Sequence, residues 1–368
     1  MVLSVVILNY NVRYFLELCL KSVQASLEHL DAEIIVVDNN SSDDSCQMLE
    51  TLFPEIKLIK NSENIGFSKA NNQGVKAAQG DYVCILNPDT VVAEDTFVQL
   101  IKFANEAKDL GTLGCQLIDG TGAYLPESKR NIPLIRVAAQ KMLGNTRNYY
   151  ANHLSKDEVG KVDVLVGAFM MFNRNTYLEV GGFDEDYFMY GEDIDLSYRL
   201  LKSGYSNYYY GKTSIIHYKG ESTLKDRSYA KRFYGAMQLF YKKHFSSNIL
   251  FDLAVWFGLQ VAFLVRRKPK SSSFEATNYL FVSNVARKAL QALYGDNLKQ
   301  ISKLDGVPPH SEVIFNADDN SYKSIINAME FWNAVTDIKF KILPNDSSFI
   351  IGSDDSINRG EIIVFKEE

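Results

Sequence analysis

A chain of 368 residues, 46% hydrophobic and 23% charged with 8 prolines, is long enough for one large domain plus a smaller one and is not a disordered tail or a disulfide mini-domain. The formal net charge of -6 leaves no overall positive field, which argues against sequence-independent nucleic-acid binding. Cys19, Cys46, Cys84 and Cys115 stand far apart with no CxxC pair, so they read as reduced core thiols of a cytoplasmic protein.

Met1 to Tyr10 is apolar but has no basic n-region, so it reads as a first buried strand and not as a signal peptide. Apolar runs at Val2 to Leu8, Glu33 to Val37, Lys57 to Lys60 and Tyr82 to Leu86 alternate with helical spacing over Val12 to Leu30 and Ser68 to Ala78. This order predicts a mostly parallel sheet with helices on its faces, whose ligands sit beyond the carboxyl ends of the strands. A second block, about Val162 to Tyr218, carries a strand (Asp163 to Phe172), a Gly-Gly turn, an acidic stretch, a helix (Ile194 to Ser203) and a strand closing at His217. A basic amphipathic helix follows over Lys225 to His244. Ile249 to Val265 is almost unbroken in apolar residues and runs into Arg266, Arg267, Lys268 and Lys270. It is short of the ~20 residues a span needs and basic on both flanks, which suits an interfacial helix; a buried helix between domains is the alternative.

Residues 271–368 hold 9 basic and 14 acidic residues, so nearly all of the net negative charge sits there. A helix (Glu275 to Tyr294), a strand (Val313 to Asn316), a helix (Tyr322 to Trp332) and strands at Ile338 to Leu343, Phe349 to Ile351 and Glu361 to Phe365 predict a small α/β domain. The division expected is 1–245, an apolar basic-flanked helix at 246–270, and a small acidic domain at 271–368 with a partner-binding or dimerising role. Asp318-Asp319 and Asp354-Asp355 read as metal-binding pairs or, more simply, as capped strand ends.

No glycine precedes Gly66, so the Gly-rich turn of a dinucleotide-binding domain is absent, and Gly211-Lys212-Thr213 lacks the upstream glycine of a P-loop. Asp38 ends a buried strand and is followed by Asn39, Asn40 and Ser41; its carboxylate can accept a pyrimidine ring N–H, with capping of a helix near Ser45 as the alternative. Asn87-Pro88-Asp89 presents a carboxylate suited to Mg²⁺ or Mn²⁺ completed by phosphate and water, or a simple turn cap. In Phe183 to Asp195 a dense run of acids lies among aromatics. Capping explains one of them; the arrangement would raise a carboxylate's pKa and supply an aromatic platform for a sugar. His217, a lone histidine, offers with Asp89 a nitrogen and an oxygen ligand for one divalent ion.

The ordered set Asn9-Tyr10-Asn11, Val37-Asp38-Asn39-Asn40-Ser41, Asn64-Ile65-Gly66-Phe67, Asn72-Gln73-Gly74, Leu86-Asn87-Pro88-Asp89, Gly167-Ala168, Gly181-Gly182-Phe183-Asp184, Glu192-Asp193 and His217 resembles the family 2 glycosyltransferases of the GT-A fold, and within them the rhamnosyltransferase-like branch. The resemblance covers about Met1 to His244. It implies a GT-A mixed α/β sheet and an inverting transfer of sugar from a dTDP- or UDP-linked donor to a saccharide or polyprenyl-linked acceptor in bacterial polysaccharide assembly. That would take place on the inner face of the cytoplasmic membrane. The implied roles are Asp38 reading the base in a pocket of Asn9, Tyr10, Asn11, Asn40 and Ser41, with Asn64, Gly66, Asn72, Asn87 and Gly167 bordering the donor. Asp89 and His217 would bind Mg²⁺ or Mn²⁺, Asp193 would be the base, and Glu192, Phe188 and Tyr190 would face the acceptor. Asn87 stands where the family's paired-aspartate motif has its first carboxylate. A non-catalytic sugar-nucleotide-binding module and a nucleotidyltransferase are the competing readings; the second wants a basic Gly-rich first loop, and Asn9 to Leu16 offers Arg13 alone.

Overall fold

The structure, a computed structural model, describes residues 1–134, 136, 137, 140, 144–219, 227–245, 274–334, 337–354 and 359–366. The interfacial or interdomain segment expected at Ile249 to Val265 and its basic flank lie outside the described residues. Among the described residues no helix is long and apolar enough to cross a membrane.

The first 86 residues alternate as the apolar pattern demands: β1 (Leu3–Asn9), α1 (Arg13–Leu27), β2 (Ala32–Asp38), α2 (Ser45–Leu52), β3 (Lys57–Lys60), α3 (Phe67–Ala77) and β4 (Tyr82–Leu86). β1 is apolar from Val5 to Leu8 because both its faces are covered, which is the signature of a parallel central strand. After β5 (Thr90–Val91) come α4 (Thr96–Glu106), β6 (Leu110–Ile118), β7 (Val159–Val162), β8 (Phe169–Asn173), α5 (Arg174–Glu179), α6 (Glu192–Lys202), β9 (Ser206–His217) and α7 (Arg227–His244). The sheet order is β3-β2-β1-β4-β8-β6-β9-β5, with β7 paired to β9. β1 to β4 run parallel, whereas β8 enters antiparallel to both β4 and β6. The strand expected over Asp163 to Phe172 is corrected: only Phe169 to Phe172 are strand, in β8, which pairs with β4, whereas β7, paired with β9, ends at Val162 and the chain crosses between the two partners through Val164 to Ala168.

A second sheet is built from β10 (Asn278–Val282), α8 (Lys288–Tyr294), β11 (Leu298–Ile301), β12 (Ser311–Asn316), α9 (Tyr322–Trp332), β13 (Ile338–Leu343), β14 (Phe349–Gly352) and β15 (Glu361–Val364), in the order β11-β10-β12-β13-β14-β15. The helix expected over Glu275 to Tyr294 is corrected to strand then helix. Tyr279 to Val282 are aromatic and branched residues that pair in parallel with β11 on one side and β12 on the other, so tertiary pairing overrides the helical reading. Strand β11 itself is short and half polar and gave no sequence signal.

The second sheet is not tethered loosely to the first. Val91, Ile118, Ile216 and Tyr218 of the first unit share one buried apolar core with Val282, Phe315, Ile326 and Ile351 of the second. The Glu94 carboxylate accepts the first backbone N–H groups of α9, from Tyr322 at 2.6 Å and Lys323 at 2.9 Å. Gly122, at φ +82°, lies so close to α9 that a Cβ there would stand 2.2 Å from the Met329 carbonyl oxygen. Three of the four cysteines, Cys19, Cys84 and Cys115, are buried and all four are free, as expected of core thiols.

Candidate functional site

The carboxyl ends of β1, β2 and β4 open onto a cleft of about 440 Å³. On its nucleotide side, Asn9 Nδ2 donates to Asp38 Oδ1 at 2.8 Å and to Ser41 Oγ at 3.0 Å, while the Ser41 backbone N–H donates to Asp38 Oδ2 at 2.9 Å. Asn11 and Asn40 take up φ of 56° and 65°, left-handed values that asparagine tolerates and that let the two strand ends curl together. Asp38 does not cap α2; Asp43 accepts the Ser45 N–H at that helix start instead. Asp38 is buried at the strand end, and it is Tyr10, Asn39 and Asn64 that line the cleft wall above it. Asn39, passed over in the sequence, holds this wall together by donating to Asn64 Oδ1 and the Gly66 carbonyl.

Asp89 and His217 meet on the next wall because β5 pairs antiparallel with the end of β9. His217 Nε2 lies 3.5 Å from Asp89 Oδ1 and 3.4 Å from the Asn87 amide nitrogen. Both side chains are buried, and His217 Nδ1 has no hydrogen-bond partner among the described residues. Among those residues no group of three or more His, Cys, Asp or Glu converges. One nitrogen and one carboxylate on a cleft wall fit a divalent ion only where phosphate oxygens and water complete the shell, which is the mode of hard cations at phosphate sites.

On the same cleft, Tyr190 and Gly191 both take left-handed backbone, at φ 70° and 80°, and turn the chain sharply into α6. For tyrosine that conformation is strained, the kind of strain that functional sites store. The turn sets Glu192 and Asp193 in the first turn of α6, at the positive end of the helix dipole and on the cleft wall. Asp193 Oδ2 accepts Arg130 Nη2 at 2.5 Å and the Gly167 N–H at 3.1 Å, and Oδ1 accepts the Ile194 N–H at 2.8 Å. Arg130, buried, also donates to the Leu165 carbonyl. Glu192 is buried beside Asp193, and its Oε2 has no hydrogen-bond partner among the described residues. Burial first, then the neighbouring charges of Asp193 and Asp195, push its carboxyl up to about 8.

The structure brings Tyr10, Asn64, Asn87, Asp89, Gly167, Tyr190, Glu192, Asp193 and His217 to one cleft. Asn9, Asn11, Asp38, Asn40, Ser41, Gly66, Asn72 and Phe188, also expected there, are not among the residues that line it. Asn72 donates to the Phe183 carbonyl and accepts from the Tyr177 hydroxyl and the Phe183 N–H, so all its polar atoms tie α3 to the Gly182 loop. Phe188 is 45% exposed and packs on Gly66, where a Cβ would come within 2.7 Å of it; Gly66 thus serves close packing of that loop. Sequence reading missed Arg130, Glu127, Tyr149 and Phe233, which line the cleft from segments with no motif. Lys219 on the same wall is ion-paired to Glu127 and sits at φ 60° directly after the His217 strand.

The sequence description of Glycosyl transferase family 2 matches residues 4–181, and that of the N-terminal domain of galactosyltransferase matches residues 159–221. The N-acetylglucosaminyl-diphospho-decaprenol L-rhamnosyltransferase of Mycobacterium tuberculosis is 30% identical over 243 residues, spanning 61% of this chain and 78% of that protein. This chain belongs to glycosyl transferase family 2. The glycosyltransferase is also 27% identical over 258 residues to the rhamnosyltransferase WbbL of Escherichia coli K12, spanning 67% of this chain and 96% of WbbL. Among solved structures it is similar to the mannosyltransferase PcManGT from Pyrobaculum calidifontis, with a TM-score of 0.49 at 18% identity over 71% of this chain and 72% of that one. The TM-score to Staphylococcus aureus TarS 1-349 is 0.47 at 17% identity, over 72% of this chain and 71% of that one. Residues 274–366, the second sheet, lie beyond both family matches.

Proposed function

We propose that this glycosyltransferase moves a deoxyhexose such as rhamnose from a dTDP- or UDP-linked donor to a hydroxyl of a saccharide or polyprenyl-linked acceptor, with inversion, in bacterial polysaccharide assembly. The observation that carries the reading is a single cleft lined together by Asp89, His217, Glu192 and Asp193. The likeness to two rhamnosyltransferases, one of them named for a decaprenol-linked substrate, supports the donor and acceptor classes. A lipid-linked acceptor sets the reaction at the cytoplasmic face of the membrane.

The strand ends of β1 and β2 hold the nucleoside, with Asp38 fixed by Asn9 and Ser41 beneath Tyr10. Asp89 and His217 would hold a Mg²⁺ or Mn²⁺ ion, which supplies Lewis-acid neutralisation of charge on the departing diphosphate. Asp193 removes the acceptor hydroxyl proton as that oxygen attacks the anomeric carbon from the far face. Arg130 and the Gly167 N–H, both on Oδ2, fix the direction of its carboxylate and leave Oδ1 with a single donor. Arg130 is therefore a positioning residue.

A thermal-shift screen of nucleoside-diphosphate sugars with and without Mn²⁺ tests the reading. A bound donor stabilises by mass action, about 2.7 kcal/mol at a hundredfold excess over Kd. We expect a dTDP- or UDP-linked deoxyhexose to raise the melting temperature only with metal. If no sugar nucleotide does so, the donor assignment fails.

A further inference from the structure

The acids of the Asp184 to Asp195 stretch have separate fates. Asp184 and Asp186 both pair with Lys243, and Glu185 accepts from Asn72. Asp195, fully buried, takes Arg199 at 2.7 Å and His244 at 2.6 Å, locking α6 onto α7. Asp193 takes Arg130. Among the described residues, Glu192 is the one buried acid of this stretch with no ion-pair partner: it is 6% exposed, its Oε2 is without a hydrogen-bond partner, and it lines the cleft. Arg130, the cation near enough to serve it, is already bound to its neighbour. A carboxylate held this way would be a buried, unpaired charge next to a second carboxylate, which is the arrangement most costly to ionise.

We infer that Glu192 works as a neutral carboxylic acid, donating a hydrogen bond to a hydroxyl oxygen of an uncharged sugar in the cleft, while Asp193 carries the negative charge of this adjacent pair. The inference rests on the glycosyl-transfer reading of this site and deepens it by dividing the work between two adjacent acids. A neutral carboxyl both donates through its O–H and accepts through its C=O, so it matches a sugar hydroxyl, which does both. Buried beside the Asp193 carboxylate, it would discriminate against a carboxylate on the same sugar carbon, whose charge would go unmatched. The elevated carboxyl, near 8, agrees with this geometry. The charged and titratable groups around it are Asp193 and Asp195 on its own helix, Arg130 and Glu127 from the segment after β6, and, elsewhere on the cleft lining, Asp89, His217, Lys219, Tyr10, Tyr149, Tyr150 and Tyr190. Two of these, Asp193 and Asp195, disfavour its ionisation and Arg130 opposes them.

The test compares the full-length enzyme with Glu192→Gln and Glu192→Ala. Glutamine keeps the shape, the neutral charge and a hydrogen-bond donor; alanine keeps none. We expect Glu192→Ala to lower kcat/KM on the order of 10²-fold and Glu192→Gln to recover all but about tenfold of the activity. The wild type should lose activity as pH rises through about 8, where Glu192 ionises, and this alkaline limb should be missing in Glu192→Gln. A carboxylic-acid band in the infrared difference spectrum, wild type minus Glu192→Gln at pH 7, reads the protonation directly and without turnover. If Glu192→Gln is as impaired as Glu192→Ala, or if the band is absent, the neutral-acid role is overturned. A wild type that transfers no sugar but shows the band would overturn the reaction and leave the protonation state of Glu192 standing.

Discussion

Around the carboxyl ends of the parallel strands of the first sheet, buried polar atoms are left open: Asn9 Oδ1, Glu192 Oε2 and His217 Nδ1 have no partner among the described residues. At the carboxyl ends of the parallel strands of the second sheet, the polar groups close on one another. Asp319 Oδ2 accepts from Ser283 Oγ, the Asn284 N–H and Asn316 Nδ2, and Asn320 and Asn345 donate to the backbone carbonyls of Val282 and Ala317. The start of α9, where such a sheet would hold an anion, is filled by Glu94 from the first unit. None of the buried unpartnered side-chain atoms of the described residues falls in the second sheet. The two sheets share a layout, but only one keeps unmet polar capacity at its carboxyl ends, and unmet capacity in a cleft is what a ligand satisfies. Asp318 and Asp319, read from the sequence as a metal-binding pair or, more simply, as capped strand ends, are bound to Arg287 and to the Ser283 turn, and Asp354 to Lys339.

This contrast can be broken most sharply at Asp193. Asp193→Asn should lower turnover on the order of 10²- to 10⁴-fold. It also leaves the buried Arg130 without its counter-charge, which costs on the order of 3–5 kcal/mol, so a melting curve must accompany the kinetics. A folded Asp193→Asn enzyme turning over at the parent rate would remove it as the base. A smaller effect is expected at Asp89 and His217. Asp89→Ala and His217→Ala should each weaken Mn²⁺-supported binding of the nucleoside diphosphate by about tenfold or more, read by titration calorimetry. Unchanged affinity in both would take the metal away from this pair. The smallest effect belongs to the second sheet: Glu94→Gln should lower stability by about 1 kcal/mol through the lost charge at the α9 start and leave the donor KM unchanged. A shifted donor KM in that variant would mean that the second sheet acts on the site as well as on stability.

Much of the first unit was legible because its parallel strands are buried on both faces and announce themselves as apolar runs. The polar clusters Asn9 to Asn11, Asp38 to Ser41 and Asn87 to Asp89 stand out at their ends. Arg130 was not legible, since nothing local distinguishes it from any basic residue; only the crossing from β7 to β8 brings Val164 and Leu165 alongside it and aims it at Asp193. The strand Asn278–Val282 was misread for a related reason, because a short aromatic and aliphatic run fits a helix and a strand equally until its partners are known.

The sequence by itself determined the family, the alternation of the first sheet, and the identity of the acids and histidine that gather at the cleft, because these depend on local pattern and order along the chain. Tertiary structure decided which of the Asp184 to Asp195 acids serve packing and which face the cleft, and that the acidic C-terminal unit shares a core with the first instead of hanging from a linker. Those outcomes depend on which cation or apolar face arrives from distant segments, and neither the identity nor the spacing of a residue records its partner.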